Sequence, residues 1–120
     1  MSQFLFKKEV QAFTIISRFG KMAGEQFEIR LRADNDWLAF LNFQYSDEMG
    51  NRNGRNTQGI PELFAPPEQF AGVVDLLRRE KVVWLTLYEA PLVGWLSTGA
   101  ELVGVDCAKQ HTQTEEVVNI

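Results

Sequence analysis

Few side chains in this sequence can make or break bonds, and their positions decide what kind of protein to expect. His111 is the sole histidine. It stands in a polar stretch with no apolar wall to position it or tune its proton affinity, so it reads as a solvated residue and not a general base. Cys107 is the sole cysteine. It ends an apolar run with only Lys109 as a nearby cation, the setting of a structural thiol and not of an activated thiolate. Asp106 and Glu89 close two strand-like segments and could pair as acid and base, but carboxylates at strand ends are commonplace. No Cys/His spacing fits a metal site, and no glycine pattern joins a strand to a helix for a nucleotide. This inventory points away from catalysis and calls for no cofactor.

Residues 50–56, GNRNGRN, are the best polar candidate. Arg52, Asn53, Arg55 and Asn56 could hold a phosphate or carboxylate through guanidinium forks, side-chain amides and exposed backbone N–H groups. They sit within residues 46–59, which contain one apolar residue, Met49, and three glycines. Long polar segments of this kind are functional loops or plain surface loops, and incidental arginines occur in both.

The elements that must position these groups follow from periodicity. Residues 81–107 read as three consecutive strands around which the rest is organised. In 82–88, Val83, Leu85 and Leu87 face one way and Val82, Trp84, Thr86 and Tyr88 the other, so both faces are apolar. Pro91 breaks the ladder, residues 94–98 form the next strand, and Gly99-Ala100 fits a tight hairpin before a third strand over 102–107. Residues 25–33 alternate cleanly, with Phe27, Ile29, Leu31 and Ala33 inward. After an Asx-rich turn at 34–36, residues 37–45 form a strand whose second face carries Leu38 and Phe40.

Two helices are expected. In residues 7–23, Ala12, Ile15, Ile16, Phe19, Met22 and Ala23 follow helical spacing, opposite a polar stripe of Lys7, Gln11, Thr14, Arg18 and Lys21. Residues 3–6 form a short edge strand before it. Pro66-Pro67 opens the second helix, with Phe70, Val73, Val74, Leu76 and Leu77 as its apolar stripe and Arg78 and Arg79 at its end. Gly72 inside it calls for a close backbone contact. The fold class is therefore α+β: a single antiparallel sheet of five to six strands with two helices on one face, built from two αββ-like halves. One domain spans 1–108, and a polar tail spans 109–120.

Composition bounds the function. Of 120 residues, 45% are hydrophobic and 23% charged, enough apolar chain for a core and too little charge for disorder. A lone cysteine excludes an intrachain disulfide, and no apolar run reaches membrane-spanning length, so a cytoplasmic protein is expected. The expected function is non-catalytic: self-association as a homodimer through an apolar outer sheet face, with Leu38, Phe40, Trp84 and Tyr88 as anchors. The alternative is a small-molecule domain whose pocket lies between helices and sheet, with Trp37 or Trp95 in its wall. Cationic helices backed by a sheet are similar to the arrangement in sliding clamps, which would imply nucleic-acid association. The net charge of −4 weighs against that partner.

Overall fold

A computed structural model describes residues 3–18, 26–44, 52–98 and 117–119. In chain order the elements are β1 (Gln3–Glu9), β2 (Ala12–Arg18), β3 (Gln26–Ala33), β4 (Asp36–Phe43), β5 (Gly54–Arg55), β6 (Pro61–Ala65), α1 (Phe70–Arg79), β7 (Val83–Glu89), β8 (Val93–Thr98) and β9 (Val117–Asn119). They form two sheets. The first runs β1-β7-β8, with the short β9 added at its far edge; the second runs β2-β3-β4-β6-β5.

The single antiparallel sheet with two helices is thereby corrected. There are two sheets, α1 is the one α-helix among the described residues, and β4 pairs with β6 in parallel. Of the stretch expected as the first helix, residues 7–9 end β1 and 12–18 form β2, with 19–23 outside the described residues, which removes the αββ repeat and the likeness to sliding clamps. Its backbone shows why. The Val10 N–H donates to the Val83 carbonyl in the first sheet, and the next residue's N–H, of Gln11, donates to the Arg32 carbonyl in the second, both at 2.8 Å. The chain thus steps from one sheet to the other between two consecutive residues. Backbone donors and acceptors of β3 and β7 need partners, and this stretch supplies them to both. Phe13 and Ile15 then pack against the core while Thr14, between them on the other face, stays exposed.

Elsewhere periodicity and structure agree. On β3, Ile29 and Leu31 are fully buried; on β7, Leu85 and Leu87 are fully buried. A 3-10 turn at Pro67–Gln69 leads into α1, where Val73, Val74, Leu76 and Leu77 are buried as the stripe requires. Phe70 lies flat on Phe27, with ring centroids 4.2 Å apart, and meets Phe43 edge-on at 5.5 Å. These contacts fasten the helix to the second sheet. Gly72 has open space where a Cβ would stand, so no close approach explains it. The close approach falls at Gly94, whose missing Cβ makes room for Leu87 of the same sheet and Leu63 of the other.

No helix among the described residues is long and apolar enough to cross a membrane. The expected hairpin at 99–100, the third strand over 102–107, and with them Asp106, Cys107 and His111 lie outside the described residues.

Candidate functional site

The outer face of the first sheet is assembled by strand alternation. Sending Val83, Leu85 and Leu87 into the core leaves Trp84, Thr86 and Tyr88 on the opposite side. Cross-strand register brings Phe4 of β1 opposite Tyr88 and Trp95 of β8 opposite Thr86. The Phe4 and Tyr88 rings meet edge-on at 5.5 Å, and Tyr88 stacks on Trp95 at 5.4 Å. A continuous aromatic row results, with Phe4 57% exposed at its end. Farther along, the Lys7 ammonium lies 5.6 Å from the centre of the Trp84 ring. Glu9, opposite Trp84, shares that face with Lys7, and both are exposed.

The four anchors read from the sequence do not share one surface. Trp84 and Tyr88 are half-buried on the first sheet, whereas Leu38 and Phe40 belong to the second and are covered by the chain itself, 3% and 7% exposed. A register shift in the β3–β4 pairing between Leu31 and Arg32 lies beside Leu38, which joins the core. Phe40 stays on the outer side, but the Arg30 guanidinium covers its ring at 4.5 Å and Trp37 stands edge-on at 5.5 Å. The neighbouring Arg30–Glu28 ion pair, at 2.5 Å, is largely buried on its Glu28 side.

The polar loop residues have structural partners. The Asn53 side-chain amide donates to the Leu92 carbonyl at 3.1 Å and accepts from the Phe64 N–H at 2.8 Å, so it ties β6 to the β7–β8 turn. The Asn56 side-chain oxygen accepts from the N–H groups of Gln58 and Ile60, an Asx turn that Gly59 completes at φ 82°. The Arg52 guanidinium lies 4.4 Å over Phe64. Arg55 donates Nε and Nη2 to the Glu89 carboxylate at 3.0 and 3.4 Å, and Nη1 to the Gly59 carbonyl at 2.9 Å. Glu89 is thus the partner of Arg55.

The structure does bring Trp37 and Arg55 together. Both line an open-sided cleft of about 420 Å³ at the seam of the two sheets. β1 contributes Phe6 and Lys8, the β3–β4 turn contributes Asn35 and Asp36, and the segment from Gly59 into β6 closes the far side. Trp95 lies instead in the aromatic row of the first sheet. The space between α1 and the sheets is filled by fully buried Val73, Leu76, Leu63 and Leu96. Phe4, Phe6 and Lys8 are not among the site residues expected from sequence: residues 3–6 read only as a short edge strand, and Lys8 falls in the stretch expected as helix. The signal was present in the alternation that begins at Gln3, cut short at Phe6. Among the described residues, no cluster of three or more His, Cys, Asp or Glu side chains could hold a metal ion.

Against protein-family models, curated proteins and solved structures, the chain finds no match.

Proposed function

We propose that this protein is a non-catalytic interaction module that self-associates through the outer face of its first sheet. The observation that carries the reading is the contiguous aromatic row Phe4–Tyr88–Trp95, with its terminal ring 57% exposed. Aromatic side chains supply much of the contact energy at protein interfaces, and a contiguous apolar patch on a monomer marks such a surface.

A second copy is the partner favoured by charge. Lys7 and Glu9 stand two residues apart on the same face of β1. In a two-fold contact, residue i meets j and j meets i, so antiparallel copies set each lysine against the other's glutamate. That self-complementarity supports a homodimer over an unrelated partner.

Light scattering across micromolar concentrations tests the reading. The expected result is a dimer mass that falls to the monomer mass in Phe4→Ser, a change at an exposed position that leaves the core intact. A parent protein that stays monomeric overturns the proposal, as does a Phe4→Ser variant that dimerises as the parent does.

A further inference from the structure

We propose that the cleft at the seam of the two sheets binds a small planar apolar molecule carrying one carboxylate. At about 420 Å³ it has room for a substituted benzoate or an indole acid and lies within the size range of small-molecule sites. Its apolar wall comes from Leu38 and Pro61, both buried, and from the Trp37 indole, which is 37% exposed. The Trp37 ring is already held, with the Arg32 guanidinium over it at 5.0 Å and Phe40 edge-on. A ligand stacking there orders little that is not ordered beforehand.

The anion site follows from an inventory of donors. A guanidinium carries five N–H groups. Arg55 commits three of them, to Glu89 and to the Gly59 carbonyl, which fixes the fork in place and leaves two N–H groups for a ligand oxygen. Lys8, on β1, is the second cation of the lining. It has no anionic partner among the described residues; its ammonium lies over the Phe6 ring at 5.0 Å. Asp36 on the rim opposes an anion and so sets its orientation, with the carboxylate toward Lys8 and Arg55 and the ring toward Trp37. The proposal is independent of self-association, which uses the other face of β1.

Titration of the whole protein with benzoate and with its neutral isostere benzamide tests this, followed by the three tryptophan indole N–H resonances. Trp37→Phe assigns the relevant signal. The expected result is a saturable shift of the Trp37 resonance with benzoate, and binding of benzamide weaker by about tenfold, the size of one charge-assisted contact. Lys8→Gln and Arg55→Lys should each weaken benzoate several-fold while the spectrum keeps its dispersion. The proposal is overturned if the Trp37 resonance does not move, if benzoate and benzamide bind alike, if only the Trp84 or Trp95 signal responds, or if both variants bind benzoate as the parent does.

Discussion

Leu87 on β7 and Gly94 on β8 face each other across the hairpin, and a Leu87 methyl fills the space that a Cβ on Gly94 would take. Two further neighbours close the gap: the Thr86 carbonyl 3.0 Å from that Cβ position and a Leu63 methyl at 3.3 Å. The two sheets touch here, and glycine is what lets them. Gly94→Ala should therefore destabilise the protein by about 1–3 kcal/mol, the usual cost of an overpacked core. Urea denaturation measures it. Adding Leu87→Ala to Gly94→Ala should cost less than the sum of the two single changes, because the shorter side chain relieves the crowding at the new Cβ and that Cβ fills part of the cavity left by the leucine.

Asn53 joins elements that are remote in sequence, since one amide side chain bonds both Phe64 and Leu92. Asn53→Ala leaves a part-buried carbonyl and a part-buried N–H without partners, at a cost of about 1–3 kcal/mol. Asn53→Asp keeps the acceptor for the Phe64 N–H and loses the donor to Leu92. Hydrogen exchange should separate the two, with Phe64 amide protection lost in the alanine variant and retained in the aspartate variant.

Arg30 has two tasks on the outer face of the second sheet: it pairs with the buried Glu28 and covers Phe40. Arg30→Met keeps the apolar cover and removes the charge. It should still destabilise by about 1–3 kcal/mol, because a buried carboxylate loses a charged partner. If Arg30→Met matched the parent in thermal denaturation, cover over Phe40 alone would account for the residue.

The Asp75–Arg79 pair makes the opposite case. Both side chains are well exposed, and they sit one turn apart on α1. Asp75→Ala should change stability by no more than about 0.5 kcal/mol, as exposed helix pairs do. Thermal unfolding that dropped by several degrees would show that Asp75 has a structural role beyond this pair.

Self-association through the first sheet makes a charge-reversal prediction. Lys7→Glu puts like charges together at the two-fold contact, and so does Glu9→Lys; each should raise the dimer dissociation constant by about tenfold. The double exchange, Lys7→Glu with Glu9→Lys, should restore it. Sedimentation equilibrium reads all three, and a double variant as weak as the singles would remove the antiparallel pairing of Lys7 with Glu9.

Much of the fold was legible along the chain. Phe27, Ile29 and Leu31 alternate, as do Val83, Leu85 and Leu87, and each set is the buried face of its strand. Val73, Val74, Leu76 and Leu77 fall at helical spacing and are the buried stripe of α1. These patterns are local, because one face of one element meets the core and the residue types follow its period. Arg52, Arg55, Asn53 and Asn56 stood out as polar candidates by type alone. That Asn53 bonds Phe64 and Leu92, and Arg55 bonds Glu89, depends on partners up to thirty-nine residues away.

Residues 3–18 mark the boundary between what the sequence by itself determined and what only the tertiary structure decided. Ala12, Ile15 and Ile16 satisfy a helical period, while Phe13 and Ile15 satisfy an extended one, and local propensity separates the two by only about tenths of a kcal/mol per residue. What settles it is the demand of unpaired backbone groups on β7 and β3. Val83 and Arg32 take the N–H groups of Val10 and Gln11 in turn, and the chain must be extended to reach both sheets. The same step brings Phe6 and Lys8 against Trp37 and Arg55. Sequence periodicity reports which face of an element is apolar; which elements lie side by side is set by hydrogen-bond partners and packing that no local window contains.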